Sequence, residues 1–430
     1  MTSAALQQEA PPSPHTRSSW LFSAPMRRAA EALQLFSLGL MLLLLPFSKA
    51  VIEVTSVLLL IGWVWLRLDP VTRWDTVWAR PAQRPLAAGL FAFFVVCGLS
   101  ILISDYPDKS INAWINKWGQ YLMLMVCAAD VGRRATWTRR ALVVMACSAA
   151  VVAFEAMWQE RTGHGLLHHY RLIDYGRMVG PYENPIDLAT YLMVIIPILS
   201  ADAARRRWPA RIAISLLVAV LLLCLGRTRA LGAWLGLSVA LVITALRSPA
   251  LRRVVVGLLV LNGLAWGICA RGAANLPQAM SLSDIGTSDR VAMWRAAIGM
   301  IRDRPLLGHG LNTFMANYLR YWVAGERQPR YAHNCYLQVA AETGLLGLIT
   351  FVAVLASLFP RLLAGTRRID PQDSARLLGF FAGLVAFVLQ AGIDTNFYSL
   401  RQAALFWTLG GLALGLANSQ EPNPSASAAR

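Results

Sequence analysis

The sequence predicts an all-α fold: a polytopic integral membrane protein with about 12 transmembrane helices and one large extracytoplasmic loop containing short helices. Three observations carry that expectation. The first is composition. Of the 430 residues, 56% are hydrophobic and only 15% are charged, where soluble chains carry about 25% charged residues. With a mean hydropathy of +0.48, this excludes a disordered chain and argues against a soluble globular enzyme. The second is that apolar runs near 20 residues, the length that crosses a hydrocarbon core, recur along the whole chain. The third is where the charge sits. A net charge of +17 and a pI near 10.3 would point to nucleic acid in a soluble chain. Here the arginines collect in alternate loops, the pattern that orients membrane proteins, so no nucleic-acid partner is expected.

Residues 1–31 form a polar, Pro/Ser-rich tail without the apolar stretch of a cleavable signal peptide. Residues 32–270 hold nine expected spans, at 32–48, 51–66, 85–103, 118–132, 141–158, 185–201, 212–226, 230–246 and 254–270. The first two are joined by a tight turn at Pro46 to Lys49. A large loop follows at 271–342, then spans at 343–359, 377–393 and 402–418, then a tail at 419–430. An even number of spans puts both tails on one side. Counting Asp130 at a span edge, that side holds 23 basic and 9 acidic residues, against 17 and 14 on the other. Both termini are therefore expected in the cytoplasm. Five of the six cysteines fall within apolar spans and none forms a CxxC pair, so they read as small buried hydrophobes. Trp63, Trp65, Trp74, Trp78, Trp114 and Trp118 lie near span ends, as interfacial aromatics do.

The loops are where chemistry is expected. Residues 159–184 form one extracytoplasmic loop, and 271–342 a second that is too long for a simple connection and is not low in complexity. Within it, Ser288 to Arg304 reads as a helix with Val291, Trp294, Ile298 and Ile301 on one apolar face. Ser288 and Asp289 are N-cap candidates, and Pro305 ends the helix. This is either an amphipathic helix lying on membrane lipids or one whose Arg290 and Arg295 bind a phosphorylated substrate. The stretch 271–333 holds eight Arg and no Lys, and the guanidinium fork suits phosphate. Gly308-His309-Gly310 reads as a turn. His333 follows just before the tenth span. It is either a structural residue or, as neutral imidazole, a base for a sugar hydroxyl. Asn334 adjoins it, and Glu342, nine residues after His333, either orients a partner or caps a helix.

Arg227 and Arg229 occupy a short extracytoplasmic hairpin, the side where orientation does not call for them. A diphosphate would compensate them; snorkelling to lipid headgroups is the alternative. Arg177, in a turn-rich stretch up to Pro185, and Asp394, in the last extracytoplasmic turn, either line a sugar site or are simple polar turns. The sequence has no Walker, HExxH or GxSxG motif and no paired His/Cys spacing. No metal and no cofactor are expected, and an enzyme outside the cytoplasm must draw energy from an activated substrate.

Several of these segments resemble one family. They are Gly226-Arg-Thr-Arg229-Ala, Arg290-Val-Ala-Met-Trp294, Pro305-Leu-Leu-Gly-His-Gly310, and His333-Asn-Cys-Tyr-Leu337 followed by Glu342-Thr-Gly-Leu-Leu-Gly347. Together with the span count they resemble the O-antigen ligase/polymerase superfamily. The resemblance implies a glycosyltransferase in the bacterial inner membrane, working at the periplasmic face. Its implied donor is O-antigen linked to undecaprenyl diphosphate, and its implied acceptor is lipid A–core oligosaccharide. The family's functional residues fall on Arg229 and Arg290, as diphosphate ligands, and on His333, as base. An O-antigen polymerase, a protein O-oligosaccharyltransferase and a polyprenyl-glycan transporter are the alternatives.

Overall fold

The structure is a computed structural model, and it describes residues 22–173, 176–247, 252–273, 287–324, 328 and 330–419. Fifteen α-helices follow one another. They are α1 (Ala24–Leu44), α2 (Lys49–Leu68), α3 (Arg84–Leu99), α4 (Pro107–Ala113), α5 (Gln120–Gly132), α6 (Ala135–Thr162), α7 (Pro185–Ala203) and α8 (Trp208–Thr228). They continue with α9 (Leu231–Arg247), α10 (Arg252–Ala273), α11 (Thr287–Asp303), α12 (Phe314–Asn317), α13 (Cys335–Gly365), α14 (Pro371–Gln390) and α15 (Leu400–Ala417). A helix lies at each of the twelve expected spans. Eight helices among the described residues are long and apolar enough to cross a membrane by length and composition alone. The fold is thus an all-α polytopic membrane protein. A count of twelve would also need α1, α5, α9 and α10. Of these, α1 opens on Arg27, Arg28 and Glu31, and α5 has 13 residues.

The core lies around α7, α14 and α15. In α15 94% of the apolar stretch is buried and in α7 89%, while α2, α3, α8 and α13 bury a third or less. A helix buried all round needs neighbours at close range. Lipid offers no hydrophobic drive between helices, so small residues let the backbones meet. Gly411 and Gly415, four apart on α15, abut the carbonyls of Met125 and Ala129 on α5. From the other side, a Cβ on Gly132 would come within 2.5 Å of Leu412 O. Gly379 and Gly383, again four apart, set α14 against α7, where a Cβ on Gly383 would lie 2.5 Å from Val194 O.

The polar contacts sort to two ends. At the Arg-rich end, Arg376 is buried between Asp202 (2.7 Å) and Asp373 (2.6 Å), and Arg139 reaches the same Asp373 at 2.9 Å. Arg27 pairs with Asp69, Arg133 with Asp75, and Arg80 donates to Asn418 O at 3.0 Å. At the opposite end, Lys49 pairs with Glu183 at 3.1 Å, and Arg401 donates to Pro46 O and Pro181 O. The alternate loops that the charge pattern placed together do meet one another.

Gly415→Leu should force α15 from α5 and cost roughly 1–3 kcal/mol or more, read as a lower unfolding temperature in detergent. Gly39→Leu, whose Cβ would meet nothing within 4 Å, should leave that temperature unchanged.

Candidate functional site

The site is built around a break in α13. Gly344 has φ 70° and ψ −176°, so the helix stops after Thr343 and restarts at Leu345. A broken helix leaves carbonyls without intrahelical donors. Here the turn 305–310 supplies them. His309 N donates to Ala341 O at 3.0 Å, and Gly310 N donates to Glu342 O at 2.8 Å. In return Leu345 N donates to Pro305 O at 2.8 Å. The approach tolerates no side chain: a Cβ on Gly308 would lie 2.6 Å from Glu342 O, and one on Gly344 2.5 Å from Leu307 N. Both glycines also have positive φ, which a side chain would strain. The Gly-His-Gly turn and the Gly of the Glu-Thr-Gly run are therefore two halves of one clasp.

Glu342 fills the clasp. Its carboxylate is buried and accepts four hydrogen bonds: Asn312 N (2.7 Å), Phe314 N (3.1 Å), Gln338 Nε2 (3.3 Å) and Tyr398 Oη (3.0 Å). Its contacts combine the two sequence readings: it accepts from the amides that lead into α12 and holds the Gln338 and Tyr398 side chains. It lies behind the cleft described next and does not line it.

That cleft, of about 490 Å³, opens at the end of the bundle away from the Arg-rich loops. His333, Asp394, Lys117, Tyr398 and Arg401 are in its wall. His333 has φ 46°, the left-handed region, where a non-glycine residue stores strain and often marks function. Its side chain is 31% exposed, and Nδ1 lies 3.4 Å from Asp394 Oδ1. A carboxylate beside one ring nitrogen fixes the imidazole. The backbone is pinned on both sides. Ala332 N donates to Gln338 Oε1, and Asn334 caps α13 by accepting from Tyr336 N and Leu337 N, both at 3.0 Å. Cys335 N donates to Ala391 O at 2.8 Å and Asp394 O at 3.1 Å, which ties the start of α13 to the turn after α14.

None of Arg177, Arg227, Arg229, Arg290 and Arg295 is in its wall. Arg229 ends α8 at φ 53°, also left-handed. Three residues on, Gly232 packs on Ile393, next to Asp394. Arg177 Nε donates to Thr228 O at 2.9 Å, and Arg227 pairs with Glu160. Arg177, Arg227 and Arg229 are thus gathered in one corner. Arg229 and Arg290 have no ion pair among the described residues, and Arg290 is half-buried at the start of α11 while Arg295 is exposed.

Helix α11 matches its expected bounds within a residue, but its buried face is a different one. Met293, Ala296, Ala297 and Met300 pack with Leu337 and Ala341 of α13, while Ile298 is 38% exposed. Alanines let α11 lie close on α13 beside Met293 and Met300; of the expected face Ile301 packs against this cluster, Val291 and Trp294 are half-buried, and Ile298 is turned outward. At the far end of α11, Arg304 and Arg320 both bind Asp105, at 3.2 and 2.7 Å. The Arg320 guanidinium holds that carboxyl below its usual range.

Sequence reasoning missed Arg401, Lys117 and Tyr398. Arg401 is buried over the Tyr182 ring at 5.4 Å. It is a cation at a span end on the side poor in positive charge, the signal that singled out Arg229. Lys117, just before the span expected at 118–132 on the same side, gave that signal too, and Tyr398 gave none. Lys117 Nζ donates to Asn312 Oδ1 at 3.2 Å.

Burial pushes the His309 imidazole below its ordinary pKa of 6.5. It faces Met300 O at 3.2 Å with Nε2, while Nδ1 is buried without a partner. The unfolded chain therefore takes up the proton first as pH falls through 6.5, and stability held above that pH is lost below it. Unfolding temperature in detergent should fall as the pH drops below about 6.5, and His309→Gln should flatten that part of the profile.

Residues 212–352 match the family model described as O-antigen ligase. The chain is also 26% identical over 352 residues to exopolysaccharide production protein ExoQ of Rhizobium meliloti (strain 1021), which covers 76% of this chain and 77% of that protein. The family match begins in α8 and ends in α13, so Arg229, α11, the clasp and His333 all fall inside it. The chain is a polytopic membrane protein in which residues 212–352 are similar to the O-antigen ligase family.

Proposed function

We propose that the protein is a glycosyltransferase of the bacterial inner membrane, with both termini cytoplasmic and the cleft periplasmic. It joins O-antigen polysaccharide from undecaprenyl diphosphate to lipid A–core oligosaccharide. The observation that carries this reading is His333, strained, held by Asp394 and open to a cleft in a chain with a segment similar to the O-antigen ligase family.

The reaction follows from the groups present. His333 takes the proton of an acceptor sugar hydroxyl. That oxygen attacks the anomeric carbon of the donor, a new glycosidic bond forms, and the bond from carbon to diphosphate oxygen breaks. A single displacement inverts the configuration. The electron pair leaves on undecaprenyl diphosphate, whose growing negative charge Arg229 and Arg290 stabilise. Arg177, Arg227 and Arg295 extend the positive surface beside it, and Asn334, through its cap, holds the backbone of the base. The sugar-diphosphate bond supplies the energy, so neither nucleotide nor metal is required.

A polymerase that lengthens the lipid-linked glycan is the second reading. It is favoured by the relative named for exopolysaccharide production. Purified protein, a lipid-linked glycan and lipid A–core, mixed without nucleotide, separate the two. A product joining glycan to core supports the ligase, a lengthened donor supports the polymerase, and no new bond removes both.

His333→Ala should lower the transfer rate by roughly 10²–10⁴ at unchanged protein abundance; near-normal glycan-capped product in a complementation gel would remove His333 from this role. Asp394→Asn should lower kcat by less than His333→Ala and leave KM for the donor near its original value. Arg290→Lys keeps the charge and loses the fork; transfer should drop, and full activity would argue against bidentate diphosphate binding.

A further inference from the structure

Helix α7 begins with Asn184-Pro185-Ile186-Asp187. Asn184 caps it, accepting from Ile186 N at 2.7 Å, and Pro185 opens the first turn. Asp187 follows in that turn, where the free amides of a helix start favour a negative side chain. Its backbone is pinned from α15, because Gln402 Nε2 donates to Asp187 O at 2.8 Å. The residue is therefore held on a rigid element without being needed as the cap.

The Asp187 carboxyl is in the wall of the His333 cleft. Among the described residues it has no hydrogen bond and no ion pair. Asp187 is half-buried, and its oxygens are not sealed inside the protein. Its charged neighbours in the wall are bonded elsewhere. Lys49 pairs with Glu183 at 3.1 Å, Arg401 Nη1 donates to Pro46 O and Pro181 O, and Asp394 lies beside the His333 ring. Arg401 and Lys49 temper the charge of Asp187 from a distance, and Asp394 is near enough to act on it too.

An open carboxyl in such a wall accepts hydrogen bonds. A diphosphate has none to give, and its charge is repelled by Asp187 and Asp394. Sugar hydroxyls are neutral donors, and bonds from them to a carboxylate are charge-assisted. A sugar ring carries several hydroxyls side by side. A ring that presents one of them to His333 has others to offer a second group in the same wall.

Resting on the transferase reading above, we propose that Asp187 binds a hydroxyl of the acceptor sugar of the core, on the ring whose other hydroxyl gives its proton to His333. The start of α7 is then the acceptor side of the cleft, and the anionic donor occupies the side away from it.

The test uses the full chain in dodecyl maltoside. Binding of core oligosaccharide freed of lipid A is titrated without donor, and transfer is then measured with lipid A–core and lipid-linked glycan varied in turn. Asp187→Ala should weaken binding of the core oligosaccharide roughly tenfold or more. It should raise KM for lipid A–core to match and leave kcat and KM for the lipid-linked glycan near the parent's, as loss of a uniform binding contact does. Asp187→Asn keeps the shape and one acceptor oxygen and should fall between the two; it also serves if Asp187→Ala is not monodisperse. The proposal is overturned if the parent does not bind core oligosaccharide, if both variants bind it as the parent does, if the loss falls on the lipid-linked glycan instead, or if kcat falls with both KM values unchanged. A parent that binds core oligosaccharide through Asp187 yet forms no bond supports this site and removes only the transferase reading.

Discussion

The His333 end of the molecule depends on one interruption, the break of α13 at Gly344. A helix that stops inside a packed protein exposes carbonyls that water cannot reach, and each must find a donor or cost free energy. The chain answers with a turn some 35 residues upstream in sequence, whose amides bond Ala341 and Glu342. From that exchange two arms reach the cleft. One runs from the Glu342 carboxylate through Asn312 to Lys117, and the other from the same carboxylate to Tyr398. A buried acid outside the cleft thus sets the position of two residues in its wall.

The base is held by a separate set of bonds. His333 sits between Ala332, fixed by Gln338, and Cys335, fixed by the turn after α14. Its carboxylate partner is 61 residues away in sequence. Among the described residues, four non-glycine positions have positive φ, and two of them are Arg229 and His333. Strain at these positions persists because neighbouring elements over-determine them, which is what the α14–α15 turn provides beside both.

Much of this was legible in the sequence. Apolar runs placed a helix at every expected span, and Pro305 marked the end of α11. Other features were hidden for identifiable reasons. Hydropathy scores bulk, so Val291, Trp294, Ile298 and Ile301 looked like the packing face. The face that meets α13 is Met293, Ala296, Ala297 and Met300, with only Ile301 of the expected four packed against it. The paired glycines at 379 and 383, and at 411 and 415, were a visible signal of tight helix contacts that periodicity alone does not read. Glu342 carried two readings because its partners, Asn312, Phe314 and Tyr398, come from other segments. The cleft could not be read at all, since Lys117, His333, Asp394 and Arg401 converge only after folding.

The burial of α15 has a consequence for the order of synthesis. This helix is made after α2, α5, α6, α7, α13 and α14, yet it packs against all of them. Until it enters, the faces of α5 and α13 that will receive it can meet only lipid or one another. The earlier helices therefore have to wait in an arrangement that leaves a slot. The shallow surfaces of Gly132 and Ala128 suit such a slot, since they offer little for a wrong neighbour to grip. Assembly of this membrane bundle would finish at its centre.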